Sequence, residues 1–592
     1  MLTNNSNLPI LASTDTFTTN DYNNQYSYRY NYAVSNPWPI RLGNLFGILA
    51  LLASTFGYVQ FLGLNWFYLA FFGPIILINV LSNFFTKAIN LFFPKFDKDE
   101  HQTFVREFWM DNKEPTVDVF LPIAGESIDI LEKTWQAVKQ LQYTNYNVYV
   151  LDDKADKEAE ELAYAYKFKY LCRPNRGEFK KAGNLKYAYA HSSGEYVFVL
   201  DADFAPIPTA LIEGLPYIMS DKDMSILQTP QYFDTDIEIH KKSPIEYGAG
   251  VVVEEFYRIT QPSKSIFGLS MCVGTSAFYR REAVEKAGIP LVNHTEDLRQ
   301  GLMTMSAGYH LGYIPLIISK GICPDNLQAY YNQQLRWASG SIETFFSSFL
   351  YEAKLNLWGK VNFLSSTLYY LTEATAPLLS LQLLCLLFFN ADSLKLGWVL
   401  PFVPYIIYEL FVRPRMLLSK KLYGVKLAGI TQMFTYLDAM VRYFLRQPIA
   451  WKSTNVKDSK TEQQISLNYF TNTTASTIFS AIYIFLFSVI LFLKPNILFN
   501  IETYTVLFIA FYRVYIYSDY ALALFNYVHK GIIQDLENKI INVFHFHFWR
   551  TGIVGSMVFS IVLLFGQLFW NLSTHFPDGI DWVKSLPLLS SK

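Results

Sequence analysis

The stretch that decides the fold is the run Val197-Phe198-Val199-Leu200-Asp201-Ala202-Asp203. Its four consecutive apolar residues are typical of a buried strand, and two aspartates follow where that strand ends. Because alternate residues of an extended chain point to the same side, Asp201 and Asp203 are predicted to converge. Two converging carboxylates at the edge of an α/β sheet suit a hard cation, Mg²⁺ or Mn²⁺, that also binds phosphate oxygens. Considered alone, the stretch is equally compatible with a turn that exposes two solvated aspartates.

Composition narrows the class of protein. The chain has 592 residues and a net charge of −1, so it is too long for one typical domain and lacks the basic excess of a nucleic-acid-binding protein. We therefore expect no nucleic-acid partner. The four cysteines lie far apart and match neither a metal-binding nor a disulfide spacing, which predicts unpaired thiols.

Long apolar runs flank a more polar central region. They lie at 42–64, 66–85, 363–389, 396–412, 478–493, 504–525 and 552–570. Each approaches the roughly 20 residues that a membrane-spanning helix needs, so about seven spans are predicted. The segment 413–460 between them is rich in Lys and Arg, which places it in the cytoplasm by the positive-inside rule. The sequence thus predicts a multi-pass plasma-membrane protein whose central domain is cytoplasmic.

The central region alternates between strand-like and helix-like patterns. Strands are predicted at 116–121, 148–151, 196–200 and 225–228, with helices at 130–141 and 158–168. This alternation favours a mostly parallel sheet covered by helices, in which ligands bind beyond the carboxyl ends of the strands.

Carboxylates follow three of these strands in succession, namely Glu126, then Asp152 and Asp153, then Asp201 and Asp203. One acidic strand end would mean little, but three in one sheet predict a nucleotide pocket. In that pocket Glu126 and Asp153 would accept hydrogen bonds from a base and a ribose, and the last pair would hold the metal ion.

Two later motifs add candidate chemistry. Thr295-Glu296-Asp297 precedes a helical pattern, where Thr295 is the predicted helix cap and Asp297 the predicted general base for a sugar hydroxyl. Lys181 precedes another helix, where it would either meet a diphosphate or remain solvated.

The stretch Gln333-Gln334-Leu335-Arg336-Trp337 lies just before an apolar run. Arg336 has the shape to bind a diphosphate with two hydrogen bonds, and Trp337 offers a flat apolar face to a sugar ring. An Arg–Trp anchor at the membrane surface is the alternative interpretation.

The order D-D, D-x-D, T-E-D and Q-x-x-R-W resembles that of processive family 2 glycosyltransferases of membranes, such as cellulose, mixed-linkage glucan, curdlan, chitin and hyaluronan synthases. The resemblance covers roughly residues 40–525 and is strongest to bacterial cellulose synthase catalytic subunits. The supporting segments are Lys181-Ala182-Gly183-Asn184, Leu227-Gln228-Thr229-Pro230-Gln231, Glu254-Glu255-Phe256-Tyr257, Val273-Gly274-Thr275 and the gating-loop-like Trp451-Lys452-Ser453-Thr454-Asn455-Val456-Lys457.

The resemblance implies an α/β GT-A domain inserted between transmembrane helices, with amphipathic helices at the membrane interface. It also implies roles for individual residues. The implied metal ligands are Asp201 and Asp203, and the implied catalytic residues are Asp297, Glu296 and Asp203. The implied substrate-binding residues are Glu126, Asp152, Asp153, Lys181, Gly274, Thr275, Gln333, Arg336, Trp337, Trp451, Lys452, Thr454 and Lys457.

The predicted organisation has seven parts. They are a polar Asn- and Tyr-rich tail (1–38), a transmembrane hairpin (39–96), the cytoplasmic GT-A domain (97–327), an interface helix with QxxRW (328–361), a second hairpin (362–413), cytoplasmic interface helices with the gating loop (414–475), and C-terminal transmembrane helices with a short extracellular tail (476–592). The residues after 460 carry no motif of a cyclic-di-GMP-binding PilZ domain, so regulation by that dinucleotide is not expected on this chain.

Together these features predict a processive, inverting transferase that polymerises UDP-glucose into a β-glucan, either cellulose or a mixed-linkage β-1,3/1,4-glucan. The polymer would leave through a channel in the transmembrane helices, so the expected partners are a UDP-sugar, the growing polysaccharide and the lipid bilayer. Three alternatives remain: a synthase for another UDP-sugar or linkage, as in hyaluronan, chitin or curdlan synthesis; a non-processive lipid-linked transferase; and a transporter with an inert nucleotide-binding domain.

Overall fold

The computed structural model describes residues 25–64, 66–233, 244–292, 294–418, 422–447, 459–498 and 500–536. The strands are β1 (Val117–Ile123), β2 (Tyr146–Asp152), β3 (Lys169–Cys172), β4 (Tyr196–Val199), β5 (Phe204–Pro206), β6 (Met224–Gln228), β7 (Tyr232–Phe233), β8 (Ala277–Arg280), β9 (His310–Tyr313) and β10 (Ser319–Gly321). The longer helices are α1 (Trp38–Leu62), α2 (Gly73–Asn90), α3 (Lys98–Asp111), α4 (Ile128–Lys139), α5 (Lys157–Ala165), α6 (Lys180–Ala190), α7 (Ala210–Ser220), α8 (Pro244–Val252), α9 (Arg281–Ala287), α10 (Glu296–Ser306), α11 (Leu327–Phe346), α12 (Leu357–Phe389), α13 (Leu422–Phe444), α14 (Ser459–Leu493) and α15 (Tyr504–Leu536).

A seven-stranded sheet in the order β3-β2-β1-β4-β8-β6-β9 forms the central domain. Every residue of β1 is buried, which explains why its sequence is almost continuously apolar instead of alternating. The four predicted strands correspond to β1, β2, β4 and β6, and the two predicted helices correspond to α4 and α5.

The sheet is mixed, because β8 pairs antiparallel with both β4 and β6. Strand β8 was not predicted, since its residues Ala277-Phe278-Tyr279-Arg280 carry a shorter apolar run than β4 and its partners are distant in the chain. This strand matters for the site, because the loop that precedes it crosses the carboxyl end of β4.

Within the described residues, five helical segments are long and apolar enough to span a membrane: Trp38–Leu62, Tyr68–Asn90, Leu357–Phe389, Leu396–Met416 and Asn472–Leu493. They flank the α/β domain in sequence and coincide with five of the predicted runs. The predicted run 504–525 falls within α15, and the run 552–570 lies outside the described residues. The count of seven spans therefore stays a prediction.

Two segments differ from the simple picture of tail, span and loop. Helix α14 begins at Ser459, well before the apolar run at 478, so its polar beginning continues into the apolar part without a break.

Near the amino terminus, the Tyr28 ring stacks on Tyr232 with 5.7 Å between ring centroids, and Tyr32 is 4% exposed. The described part of the polar tail therefore packs against the α/β domain.

Helix α11, which carries the QxxRW residues, lies between the α/β domain and the membrane helices. On one side Arg299 of α10 pairs with Glu343 of α11, with 2.9 Å between the charged atoms. On the other side α11 packs against α12 and α13 around Tyr331, Leu371 and Tyr436. The carboxyl edge of the sheet therefore lies beside the helix that leads into the transmembrane region.

Candidate active site

Asp201 and Asp203 follow β4 directly, as the sequence predicts. The backbone N–H of Asp201 donates to the Thr275 hydroxyl (2.9 Å), and Oδ1 of Asp201 accepts from Nζ of Lys181 (2.5 Å). Burial, together with the charges of Asp201 and Glu126, raises the pKa of Asp203 to about 7. The acidic side chains thus lie close enough to repel one another, and this repulsion favours the binding of a cation between them.

The two aspartates fit a divalent metal ion that takes its remaining ligands elsewhere. No group of three or more His, Cys, Asp or Glu residues within the described ranges could hold a metal ion. Mg²⁺ and Mn²⁺ often bind through one or two carboxylates and complete their shell with water and substrate phosphates. The donor set of Asp201 and Asp203 matches that pattern.

The same edge holds two positive side chains. Burial acts to lower the pKa of Lys181, but the charges of Asp201 and Glu296 outweigh it and raise that pKa. Burial lowers the pKa of Arg336, and the charges of Asp201 and Glu296 partly offset this lowering. Lys181 is therefore held in its charged form at the acidic cluster, where a diphosphate would also need positive charge.

Glu126 follows β1, and its carboxylate turns back onto its own loop. One carboxylate oxygen accepts a hydrogen bond from the backbone N–H of Ala124 at 2.6 Å. Burial, with smaller effects from Asp201 and Asp152, raises the pKa of Glu126 to about 7. The structure thus places Glu126 within the acidic cluster, and its predicted contact with a base stays a prediction.

Asp152 is fully buried, and its carboxylate builds the loop after β2. Its oxygens accept hydrogen bonds from the backbone N–H of Lys154 (2.6 Å), the backbone N–H of Asp156 (2.7 Å) and the Tyr170 hydroxyl (2.5 Å). These partners leave little capacity for a ligand, so the structure favours a supporting role for Asp152.

Asp153 pairs with Arg173, a residue that the sequence analysis did not single out. Oδ1 of Asp153 accepts from Nη2 of Arg173 (2.7 Å) and from the backbone N–H of Gly177 (3.0 Å). Arg173 is 1% exposed and also donates to Oδ1 of Asn184 (2.7 Å). The sequence offered no local signal for this pairing, because β3, which Arg173 follows, was not among the predicted strands.

The loop of Val273, Gly274 and Thr275 lies across the end of β4. Lys181 donates to the Gly274 carbonyl oxygen at 2.8 Å. Gln228, at the end of β6, clamps the loop from behind, since its amide accepts from the Val273 N–H (2.9 Å) and donates to the Thr275 carbonyl oxygen (2.8 Å). In the sequence, Gln228 stands out only as part of the segment that resembles the family. The structure shows that its side chain supports this loop.

Gly274 also brings this loop against Asp297. Its φ of +80° is in the left-handed region, and a Cβ added there would lie 2.8 Å from Oδ2 of Asp297. Only glycine permits both the backbone conformation and so close an approach. Burial and the neighbouring Glu296 charge raise the pKa of Asp297 to about 7, which is near the value that suits a general base at neutral pH.

Thr295 does not cap helix α10 with its side chain, so that prediction is wrong. The residue adopts a left-handed φ of 51°, and its side chain packs against Gly340 of α11 instead. The side chain is used for helix packing, which the local pattern of a cap followed by two acids cannot reveal.

The QxxRW residues are enclosed to a degree similar to that of Asp201 and Asp203. Gln333, Arg336 and Trp337 are each partly buried. Four predicted gating-loop residues lie outside the described ranges: Trp451, Lys452, Thr454 and Lys457. The structure therefore brings the acidic residues, Lys181, Gly274, Thr275 and Arg336 into one region, and the gating loop stays a prediction.

Comparison with known proteins identifies the domain that holds this site. Residues 118–288 match the family model described as glycosyl transferase family 2. Over these residues the chain is similar to family 2 glycosyltransferases. Together with the sheet described above, this match confirms the predicted GT-A domain flanked by membrane helices.

The chain is also similar to bacterial cellulose synthases. It is 29% identical over 234 residues to the UDP-forming cellulose synthase 1 catalytic subunit of Komagataeibacter xylinus, covering 39% of this chain and 31% of the relative. It is 28% identical over 297 residues to the UDP-forming cellulose synthase catalytic subunit of Pseudomonas fluorescens, covering 48% of this chain and 40% of the relative. The predicted resemblance is thus confirmed, although the match spans only about a third of these relatives' length.

Solved structures that resemble the chain are more distant. The mannosyltransferase PcManGT from Pyrobaculum calidifontis, in complex with GDP-Man and Mn²⁺, matches with a TM-score of 0.42 and 15% identity, covering 63% of this chain and all of that one (100%). S. aureus TarS 1-349 matches with a TM-score of 0.30 and 14% identity, covering 58% of this chain and 94% of that one.

Proposed function

We propose that this protein is a processive, inverting glycosyltransferase that polymerises UDP-glucose into a β-glucan and moves the polymer through its own transmembrane helices. One chain of contacts carries the proposal. Asp297 lies against Gly274, the Gly274 carbonyl binds Lys181, and Lys181 pairs with Asp201. A candidate base is thereby joined to the candidate metal ligands through neighbouring groups.

The donor would bind along the carboxyl edge of the sheet. A divalent cation held by Asp201 and Asp203 would neutralise charge on the diphosphate when it is bound. Lys181 and Arg336 add positive charge beside the same carboxylates, where they would stabilise the departing UDP. The UDP-forming cellulose synthases named above support UDP as the leaving group.

Asp297 would act on the acceptor. Its carboxylate takes the proton from a sugar hydroxyl while that oxygen forms a bond to the anomeric carbon of the donor. The bond between that carbon and UDP breaks on the opposite side, so the configuration inverts in one displacement. Its raised pKa makes Asp297 a stronger base than an ordinary aspartate.

Helix α11 would hold the end of the growing chain. Gln333, Arg336 and Trp337 lie on one face of α11, and the spanning helix α12 follows it closely. The flat face of Trp337 suits the ring of the terminal sugar. An acceptor surface beside spanning helices is what a polymer leaving the cell requires, and the residues 451–457 would close over the donor during each transfer.

This function can be tested in membranes that contain the protein. They are supplied with one labelled UDP-sugar at a time, together with Mg²⁺ or Mn²⁺. We expect polymer from UDP-glucose that linkage-specific β-glucanases digest, and none from matched membranes that carry Asp297→Asn. Polymer made only from another UDP-sugar, or one resistant to those enzymes, would favour a hyaluronan-, chitin- or curdlan-like synthase. Absence of polymer with every donor would overturn the proposal.

A further inference from the structure

Helix α11 has two functional faces. Gln333, Arg336 and Trp337 are spaced by three and four residues and so share one face. Tyr331 and Gln334 belong to the buried face of the helix, where they are 0% and 1% exposed. Any rotation of α11 about its axis therefore moves the proposed acceptor residues and this buried face together.

The buried face of α11 is hydrogen-bonded to α13. Oε1 of Gln334 accepts from the Tyr436 hydroxyl (2.7 Å) and from Nε2 of Gln432 (3.1 Å). The Tyr331 hydroxyl donates to Oδ2 of Asp438 at 2.5 Å. Two positions one helical turn apart on α11 are thus held by three donors or acceptors on α13.

The carboxylate of Asp438 is itself held in place. Its other oxygen accepts from Nε of Arg442 at 2.9 Å, one turn further along α13. Directional bonds between buried polar groups specify one arrangement of two helices, whereas apolar contacts alone tolerate small rotations. The surrounding residues Leu335, Ala338 and Leu371 are apolar, so this polar group stands within an otherwise apolar interface.

On its other side α11 contacts the helix that carries the candidate base. The Thr295 side chain packs against Gly340, and Arg299 pairs with Glu343 at 2.9 Å. Thr295 lies two residues before Asp297. Helix α11 is therefore fixed between α10 and α13, and its rotation sets where Trp337 lies relative to Asp297.

We propose that Gln334, with Tyr436 and Gln432, positions α11 so that the acceptor hydroxyl meets Asp297 instead of water. These are positioning residues, and their role rests on the proposed function. When the acceptor is displaced, water takes its place: Asp297 takes a proton from the water as its oxygen bonds to the anomeric carbon, the bond between that carbon and UDP breaks, and free sugar and UDP form. The network thus governs how much donor is hydrolysed without being added to the polymer.

The test measures the number of UDP molecules released per sugar incorporated, using wild-type membranes and the variants Gln334→Leu and Tyr436→Phe. We expect a ratio near one in the wild type, a rise of about twofold or more in Gln334→Leu, and a smaller rise in Tyr436→Phe. A residue that only supports folding would lower both counts together and leave the ratio unchanged.

Tyr483→Phe is the matched control for Tyr436→Phe. Tyr483 is 0% exposed, and its hydroxyl has no hydrogen-bond partner within the described part of the chain. Its removal should leave the ratio at the wild-type value. In addition, the double variant Gln334→Leu/Tyr436→Phe should show no higher ratio than Gln334→Leu alone, because both changes break the same contact.

An unchanged ratio in Gln334→Leu membranes that still make polymer would overturn the inference, as would additive effects in the double variant. If Gln334→Leu does not accumulate, the milder Tyr436→Phe decides, and a ratio equal to that of Tyr483→Phe overturns it. Failure of the proposed function looks different, since the wild type would then form no polymer.

Discussion

Two aspartate pairs lie at the carboxyl edge of the same sheet, yet their surroundings differ. Asp152 and Asp153, after β2, accept hydrogen bonds from backbone groups, a tyrosine and a buried arginine. Asp201 and Asp203, after β4, meet one lysine and otherwise crowd against other acids. In the first pair the protein fills the hydrogen-bonding capacity of Asp152 and pairs Asp153 with an arginine. In the second pair neighbouring acids crowd Asp203, and their repulsion favours the binding of a cation.

The comparison shows that an acidic strand end is not by itself a ligand site. Both pairs follow apolar strands, and the sequence treats them alike. What separates them is the presence of Arg173, which lies beside Asp153, and its absence beside Asp203. Substitutions in each group can show whether the two pairs of aspartates also differ in role.

Asp297→Asn, at the same edge of the sheet as Asp201 and Asp203, should have the largest effect on activity. Losing the base should lower the rate of polymer synthesis roughly 10³-fold, because general-base catalysis contributes about 10²–10⁴-fold. UDP binding, measured by product inhibition or calorimetry, should remain. Normal polymer output from this variant would remove Asp297 from the mechanism.

Arg173→Met tests the role of the buried ion pair between Arg173 and Asp153. It leaves the Asp153 carboxylate buried without its cation, which should destabilise the domain by about 3 kcal/mol. Thermal unfolding in detergent should show a lower midpoint, and the double variant Arg173→Met/Asp153→Leu should recover part of it. A midpoint equal to the wild type would mean that the pair contributes little.

Asp203→Asn should show the reverse behaviour. Activity should fall about 10²-fold, because the metal ion loses one ligand, while the unfolding midpoint stays equal or rises as repulsion among the acids is relieved. Titration of activity with Mn²⁺ should show a weaker apparent affinity. A large loss of stability would place Asp203 with the supporting residues instead.

Activity should depend on pH through Asp297. A base acts only when ionised, so with its pKa at about 7 the rate should fall about tenfold for each pH unit below 7 and level off above it. Saturating metal would keep Asp203 ionised and thus isolate the effect of Asp297. A flat profile across this range in the wild type would contradict the assignment, and the residual rate of Asp297→Asn serves as the flat reference.

Trp337→Ala should have the smallest effect on chemistry. Losing the stacking surface should shorten the polymer. It should also raise the acceptor concentration needed for half-maximal rate several-fold, since aromatic contacts contribute about 1 kcal/mol. Donor binding should not change. Equal losses in donor binding and in chain length would argue against a stacking role.

Much of the architecture was predictable because its signals are local. The apolar runs, the ends of β1, β2 and β4, and the order of the acidic motifs can all be read from neighbouring residues. Strand β8 could not be predicted, since its apolar run is shorter than that of β4 and ends in an arginine. Nor could the side-chain role of Thr295, which depends on Gly340 of another helix.

The sequence by itself determined where strands and membrane helices form, and which residues follow the strands, because hydrophobic patterning acts over a few neighbouring residues. Only the tertiary structure decided which carboxylates remain unneutralised, because charge balance depends on residues far apart in the chain. Arg173 neutralises Asp153, while the loop before β8 brings Gly274 against Asp297. Lys181 pairs with Asp201, while the fold gathers further carboxylates around Asp203, and their mutual repulsion leaves that edge suited to a cation.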